Sequence, residues 1–202
     1  MLRTRKAQYK PNPISPNQLK GLISAGYQRN GPAREIASKQ GYKLIDKFSN
    51  AERKVFEDNK GNPYIVNVGT RKFSDWGTNI ALGVGLGRFT NRFKDSKNLV
   101  EKVKKEYKDK KITNIGDSLG GALAENSGGD RIITTNKAAG IGAIFKNIPG
   151  KQTDIRTGSD PVSILARTQF GGNKYTIPRT NFLDPLKAHS YKNLNRFDKT
   201  IN

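Results

Sequence analysis

The sequence predicts one α/β domain in which a mostly parallel central sheet is flanked by helices. Short segments of strand type alternate with a helix-like segment in the second half of the chain, in the order ITNIG, LGGALAEN, RIITT and QTDIRT. This alternation is expected of parallel strands joined by crossover helices. The 202 residues are 34% hydrophobic, which suffices for a single core. A serine with a glycine two residues before it and another two residues after it lies where the first of these strands meets the helix.

The N-terminal region predicts an arm followed by helices. Residues 1–16 are rich in Lys, Arg and Pro and show almost no apolar periodicity. We therefore expect a flexible basic arm outside the core, and we expect residues 17–202 to form the α/β domain. Two short helices are predicted around LKGLISAGYQ and PAREIASKQG, with the second ending at Gly41. We expect both to cover one edge of the sheet.

Residues 42–69 predict three β-strands. The candidate strands are YKLIDKF, RKVFED and PYIVNVG, and residues 59–62 between the last two have hairpin-turn chemistry. The C-terminal part from Gly171 is polar and turn-rich, with one short strand candidate at YTI.

A further helix is predicted between the third strand and ITNIG. Asp95 or Ser96 can cap its N-terminus, and the spacing of Leu99, Val103 and Tyr107 puts them on one face. The lysines of this helix lie mainly on its other faces, as expected of a solvated surface.

Composition limits the chemistry and suggests the partners. The chain has no cysteine, which excludes disulfides, thiolate zinc sites and a cysteine nucleophile. Its 37 Lys and Arg against 17 Asp and Glu give a formal charge of +20, which attracts anionic partners such as nucleic acid, an anionic membrane or an acidic assembly. Without a secretory leader or a long apolar run, we expect a cytoplasmic or host-intracellular protein. The composition also fits a virion component.

Residues 112–124 contain a G-x-S-x-G pattern between an apolar strand and a helix of small residues. Such a turn lifts the hydroxyl of Ser118 above the sheet, and side chains at Gly116 and Gly120 would collide where strand and helix approach. Ser118 would also lie at a helix N-terminus, where backbone N–H groups favour a developing negative charge. The five letters alone also fit a plain glycine-rich turn, but the flanking strand and helix favour a nucleophile elbow over residues 116–120.

A serine nucleophile needs a base and an orienting acid. His189 is the one histidine, and it follows Ser118 in the chain. Asp160 follows the strand candidate QTDIRT and precedes a proline, which makes it the preferred acid. Asp154 and Asp184 remain alternatives.

An oxyanion hole needs two backbone donors. Leu119, directly after the nucleophile, would supply one of them. Thr70, directly after the strand PYIVNVG, would supply the other, although a strand that simply ends at Gly-Thr gives the same local pattern.

In chain order these residues resemble the class 3 lipases, a family of α/β-hydrolases. That family typically shows Arg-Gly-Thr or Arg-Gly-Ser at a strand end, then Asp-Trp, G-H-S-L-G-G-A-L-A, Asp-Pro-Val and a late histidine. The matching segments here are Val68-Gly69-Thr70, Asp75-Trp76, residues 116–124, Asp160-Pro161-Val162 and His189. The resemblance covers roughly residues 42–191.

The resemblance implies an α/β-hydrolase-like fold and a serine hydrolase of carboxylic esters: a lipase, phospholipase or esterase acting on lipid. Ser118, Asp160 and His189 would form the triad, Thr70 and Leu119 the oxyanion hole, and no metal or cofactor would be required. Two departures bear on activity rather than on fold. Val68 stands where the family has arginine, and Asp117 stands where it has histidine.

Residues 80–93, with the sequence IALGVGLGRFTNRF, correspond to the place of a lid in that family. Their apolar residues suit a lipid interface and their arginines suit anionic headgroups, although a buried helix with tolerated glycines is equally consistent. The competing functional hypothesis is a catalytically weak or inactive hydrolase-fold protein. It would bind membrane, nucleic acid or an assembly through its basic surface and arm.

Overall fold

The computed structural model describes residues 12–70, 90–139, 145–178 and 184–202. The α-helices are α1 (Pro16–Gly26), α2 (Asn30–Ser38), α3 (Thr90–Glu106), α4 (Leu119–Ser127) and α5 (Pro185–His189). The strands are β1 (Lys43–Leu44), β2 (Arg53–Glu57), β3 (Pro63–Asn67), β4 (Thr113–Asp117), β5 (Arg131–Thr135), β6 (Gln152–Thr157) and β7 (Asn173–Ile177). Short 3-10 helices span Asp46–Phe48, Leu165–Thr168 and Tyr191–Arg196.

The strands form a seven-stranded sheet in the order β1 to β7. The pairs β1–β2 and β2–β3 are antiparallel, and every pair from β3 to β7 is parallel. The predicted α/β class with a mostly parallel sheet is therefore confirmed. Parallel strands end at the same edge of a sheet, so the loops that follow β3, β4, β5 and β6 lie close together.

Alternation along the strands divides the core between the two faces of the sheet. In β3, Tyr64 and Val66 pack with α1, α2 and the C-terminal segment, whereas Ile65 packs with Leu99 and Val103 of α3. The central strands repeat this pattern because successive side chains point to opposite faces. Helices α3 and α4 contact each other and cover the second face.

The two predicted N-terminal helices are present. Ser15 begins α1 with a capping box, in which its hydroxyl accepts a hydrogen bond from the Gln18 backbone N–H at 3.2 Å. The expected placement of both helices at the sheet edge was wrong for α1, which contacts β2, β3 and β4. Its residues Leu19, Leu22 and Ile23 are almost fully buried, and an apolar stripe of that depth is covered by a face of the sheet rather than by its rim.

A flexible arm was expected over residues 1–16, and this expectation was wrong for residues 12–16. Ile14 is fully buried and forms a two-hydrogen-bond bridge with Ile201, with N–O distances of 2.9 and 3.0 Å. Asn12 donates to the Asp58 carboxylate at 2.7 Å, and its carbonyl accepts from Arg131. Residues 12–16 thus belong to the folded body, and residues 1–11 lie outside the described residues.

Two other predicted elements have different limits. Only Lys43–Leu44 of the candidate strand YKLIDKF is a strand, because Asp46 begins a 3-10 turn and accepts hydrogen bonds from Asn30 and Arg34. The helix expected to be capped by Asp95 or Ser96 already includes Thr90. Ser96 is instead buried inside α3 and donates to the Asn67 side chain at 2.8 Å.

The predicted apolar face of α3 is confirmed. Leu99 and Val103 are buried, and Tyr107 packs against the same cluster. In the C-terminal part, the strand candidate YTI lies within β7, while α5 and the 3-10 helix after it had no signal in the sequence analysis. Within the described ranges, no helix is long and apolar enough to cross a membrane.

Candidate active site

Ser118 occupies a sharp turn between β4 and α4. Its backbone angles are φ 58° and ψ −123°, a positive φ that non-glycine residues seldom adopt. Neighbouring backbone stabilises this conformation: the Ser118 N–H donates to the Thr135 carbonyl at 2.9 Å, and the Ser118 carbonyl accepts from Gly121 and Ala138, each at 3.0 Å. The serine is therefore presented by a strained and well-supported backbone.

The two glycines of the elbow allow strand and helix to meet. A Cβ atom on Gly116 would lie 1.9 Å from the carbonyl oxygen of Gly120, and one on Gly120 would lie 2.1 Å from that of Asn67. Both collisions are with backbone, which cannot rotate away. The close approach predicted from G-x-S-x-G is thus present in the structure.

His189 lies directly against Asp160. The His189 Nδ1 and Asp160 Oδ1 atoms are 2.8 Å apart, and both residues are buried. The same carboxylate accepts from the backbone N–H groups of Val162 and Ser163 at 3.0 and 3.1 Å. An ionised carboxylate only accepts hydrogen bonds, so the proton belongs on Nδ1 and the Nε2 lone pair is left as the basic site.

The two alternative acids have other partners. Asp154 accepts hydrogen bonds from Thr134 at 2.6 Å and from buried Lys137 at 2.8 Å. Asp184 accepts from the Lys187 backbone N–H at 3.1 Å in the first turn of α5. Of the three candidates, the structure places Asp160 at the imidazole.

A cavity of about 250 Å³ opens above the elbow. Its lining residues are Tyr27, Thr70, Asp117, Ser118, His189, Ser190 and Tyr191. The structure thus gathers Thr70, Ser118 and His189 around one space, with Asp160 behind the imidazole. Leu119 is buried as the first residue of α4, where backbone N–H groups have no partner within a helix.

Thr70, which lines this cavity, has a hydroxyl without a hydrogen-bond partner among the described residues. Its Oγ1 atom is buried and makes no hydrogen bond with any described residue. A buried hydroxyl without a partner is costly, so its capacity to donate a hydrogen bond is unused in this structure.

Asp117, which stands where the class 3 lipases have a histidine, accepts hydrogen bonds from two hydroxyl groups. Its Oδ1 accepts from Thr135 Oγ1 at 2.6 Å, and its Oδ2 accepts from the Tyr27 hydroxyl at 3.0 Å. Burial raises the pKa of the Asp117 carboxyl above its usual value, while nearby His189 and the two hydroxyl donors act in the opposite direction. The carboxyl is thus oriented by neutral donors rather than neutralised by a basic side chain.

Tyr27 is a site residue that the sequence analysis missed. Its hydroxyl donates to Asp117 and accepts from the Gly69 backbone N–H at 3.1 Å, so it joins the acid beside Ser118 to the loop that carries Thr70. Burial, and then the adjacent Asp117, raise the Tyr27 pKa well above its ordinary value, which keeps the hydroxyl protonated. Its ring stacks on Tyr191, with centroids 5.7 Å apart.

Two further supports have no local signal in the sequence. Arg92 Nη2 donates to the Val68 carbonyl at 2.6 Å and stabilises the end of β3. Asn136, at φ 44°, donates to the His189 carbonyl at 2.9 Å and accepts from the Thr157 N–H at 2.8 Å. Asn136 therefore connects the end of β6 to the segment that carries the imidazole.

Some predicted features cannot be located. Asp75, Trp76 and residues 80–89 of the expected lid lie outside the described residues, and residues 90–93 form the first turn of α3. Among the residues that the structure does describe, no group of three or more His, Cys, Asp or Glu could hold a metal ion.

Comparison with known proteins identifies the fold. No protein-family model matches the sequence, and a comparison with curated proteins finds no match. The Lip2 lipase of Yarrowia lipolytica superposes with a TM-score of 0.51 and 16% identity over 77% of each chain. The Rhizomucor miehei lipase in its propeptide complex superposes with a TM-score of 0.51 and 16% identity, over 80% of this chain and 67% of the lipase chain. Another fungal lipase structure superposes with a TM-score of 0.51 and 16% identity, over 93% of this chain and 84% of the other.

The chain has the fold of the fungal lipases. This finding confirms the predicted α/β-hydrolase-like fold and agrees with the resemblance seen in the sequence motifs. At 16% identity, the structural similarity establishes a common fold and nothing more. Any argument about chemistry therefore depends on the side chains and the cavity of this protein.

Proposed function

We propose that this protein is a serine hydrolase of carboxylic esters that acts on lipid through an acyl-enzyme at Ser118. The observation that carries the proposal is the pairing of His189 with Asp160 beside a cavity that both His189 and Ser118 line. Nucleophile, base and orienting acid are the parts that acyl transfer requires.

Each group has a definite role in the proposed reaction. Ser118 Oγ attacks the ester carbonyl while His189 Nε2 takes its proton, and Asp160 stabilises the imidazolium that forms. The negative charge on the tetrahedral oxygen is stabilised by the backbone N–H groups of Leu119 and Thr70. His189 then gives the proton to the leaving alcohol, and water cleaves the acyl-enzyme by the same steps in reverse order.

The unpaired hydroxyl of Thr70 supports this assignment. A donor buried at the cavity without a partner among the described residues gains most when an oxyanion forms there. Removal of one oxyanion donor from a serine hydrolase commonly lowers kcat by about 10²–10³. Thr70→Val, which keeps the shape and the backbone N–H, tests the share contributed by the hydroxyl.

The decisive experiment combines fluorophosphonate labelling with hydrolysis of short and long p-nitrophenyl esters. Ser118→Ala should abolish both signals, while Ser38→Ala, an exposed serine at the end of α2, should leave both unchanged. Asp160→Asn should lower kcat by about 10⁴ because it disturbs the tautomer of the imidazole.

The competing non-catalytic function predicts a different result. No Ser118-dependent signal on any ester, with anionic vesicles also present, would contradict the hydrolase proposal. Vesicle or DNA binding that persists in Ser118→Ala and weakens with salt would then favour a binding protein on the lipase fold.

A further inference from the structure

Two phenylalanine rings lie exposed in the segments that precede β6 and β7. Phe145 is 68% exposed and Phe170 is 59% exposed, and their rings stack with centroids 6.1 Å apart. Backbone hydrogen bonds join Phe170 to the segment that follows Phe145. The Phe170 N–H donates to the Lys146 carbonyl at 3.0 Å, and the Phe170 carbonyl accepts from the Ile148 N–H at 2.8 Å. The rings are therefore presented in a defined geometry.

The reason for this exposure lies in the crossover from β6 to β7. Residues 158–172 contain only the 3-10 helix Leu165–Thr168, too short to cover two strands. Arg156 of β6 and Thr176 of β7 are paired in register and share a hydrogen bond of 3.2 Å on this face, opposite the buried Ile155 and Ile177. Among the described residues of β6 and β7, Arg156, Lys174 and Thr176 lie on this face, and all three are polar or basic.

The surface around the rings is positively charged. From residue 145 to 178 the chain has five cations, which are Lys146, Lys151, Arg156, Arg167 and Lys174. The two acids of the same segment, Asp154 and Asp160, are buried and pair with Lys137 and His189. The segment therefore presents basic side chains to solvent without an exposed acid of its own.

Two of these cations lie close enough to repel each other. The pKa of the Arg156 guanidinium is lowered by partial burial and next by the charge of Arg167, despite the counteracting charge of Asp154. Lys174 lies on the same strand pair and donates to the carbonyl of Gln169, the residue before Phe170. Two cations that repel each other would be stabilised by an anion.

We propose that Phe145, Ile164 and Phe170, together with Arg156, Arg167 and Lys174, form a docking surface for an anionic lipid bilayer. The proposal rests on the proposed lipid-directed function and adds a partner to it. Ile164 is 50% exposed, and its carbonyl accepts a hydrogen bond from the Arg167 backbone N–H at 3.2 Å, so it lies one turn from that cation.

The mixture of side chains favours a bilayer over nucleic acid. Phenyl and aliphatic groups gain by entering the boundary between headgroups and acyl chains, while cations beside them meet lipid phosphates and carboxylates. Single-stranded nucleic acid would use the phenyl rings for base stacking but has no corresponding use for an aliphatic side chain such as Ile164.

Vesicle sedimentation of the full chain tests the proposal. We expect binding to phosphatidylcholine vesicles that contain phosphatidylserine, weaker binding without it, and further weakening by salt. Arg167→Gln/Lys174→Gln should lower the partition coefficient by about 25-fold, at about fivefold per cation. Phe145→Ser/Phe170→Ser should lower it at least about tenfold because the apolar insertion is lost.

The matched control is Lys104→Gln/Lys105→Gln, which removes the same charge from exposed positions of α3. Its partition coefficient should stay within about twofold of that of the unmodified chain, since it lies off the surface. An equal loss in this control would overturn the proposal, because binding would then depend on net charge alone. Single-stranded DNA binding that the surface variants abolish while vesicle binding stays unchanged would also overturn it.

A separate readout distinguishes this surface from the active site. The surface variants should keep the fluorophosphonate labelling rate and the kcat on a soluble ester, with circular dichroism to verify folding. Ser118→Ala should bind vesicles like the unmodified chain. Vesicle binding without any Ser118-dependent chemistry contradicts the hydrolase proposal alone, whereas normal hydrolysis without the expected binding losses contradicts the docking surface alone.

Discussion

The Tyr27 hydroxyl connects the acid beside the nucleophile to the oxyanion loop, and Tyr27→Phe removes that connection while keeping the ring. The substitution takes away the donor to Asp117 and the acceptor for the Gly69 N–H in one step. It leaves the aromatic stack on Tyr191 in place. We therefore expect the position of Thr70, next to Gly69, to become less well defined.

The structure sets the size of the effect. Leaving a buried polar group without its partner costs about 1–3 kcal/mol, and Asp117 is buried. If that cost fell wholly on the transition state, kcat would drop by roughly 5-fold to 150-fold. Since part of it destabilises the resting protein equally, we expect a loss of about tenfold in kcat with little change in KM.

The assay is steady-state hydrolysis of a soluble p-nitrophenyl ester, with the fluorophosphonate labelling rate as a second measure. Tyr191→Phe is the matched control, because it removes a hydroxyl from the other ring of the stack. A lower melting temperature for Tyr27→Phe with unchanged kcat would refute the reasoning, and so would an equal loss of kcat in Tyr191→Phe.

Three further predictions concern the scaffold. Gly120→Ala should prevent soluble expression, because its Cβ would lie 2.1 Å from the Asn67 carbonyl oxygen; near-normal circular dichroism would contradict this. Lys137→Met should lower the free energy of unfolding by about 3–5 kcal/mol in a denaturant titration, since Glu125 and Asp154 lose their buried cation. Burial raises the Glu125 pKa, but Lys137, Gln152 and Lys146 together outweigh it and lower that pKa from 4.5 to about 2. This stabilisation is present above pH 4.5 and is lost toward pH 2, so Glu125→Gln should flatten the melting temperature over that window.

The parts of the site that depend on local chain geometry could be predicted from the sequence. A side chain on Gly116 would meet the Gly120 backbone four residues away, so the spacing of the motif, together with the strand before it and the helix after it, indicates the elbow. Asp160 was favoured for a similar reason, as a residue of the loop that follows a strand and as the residue before a proline. The sequence could not exclude Asp154, because its partner Lys137 lies on a different segment and their contact depends on the register of β5 and β6.

The parts that depend on packing between distant segments gave no local signal. Tyr27 reaches Asp117 only because the apolar stripe of α1 packs on the sheet, and no spacing rule connects these two positions. Serine is a residue type that often caps helices, yet Ser96 lies inside α3, where it is buried and bonded to Asn67. Ile14 is a single apolar residue among prolines, and its partner Ile201 is far from it in the chain.

The bridge between Ile14 and Ile201 has a consequence for the order of folding. The Ser118 backbone bonds to Gly121, Thr135 and Ala138, which are much nearer to it in sequence than Ile14 is to Ile201, the pair whose contact closes the C-terminal segment after His189. Contacts of large sequence separation form slowly, because the closure entropy must be overcome before they stabilise anything. A refolding chain should therefore regain helical signal before the imidazole is in place, and the reactivity of Ser118 should report the final step of folding.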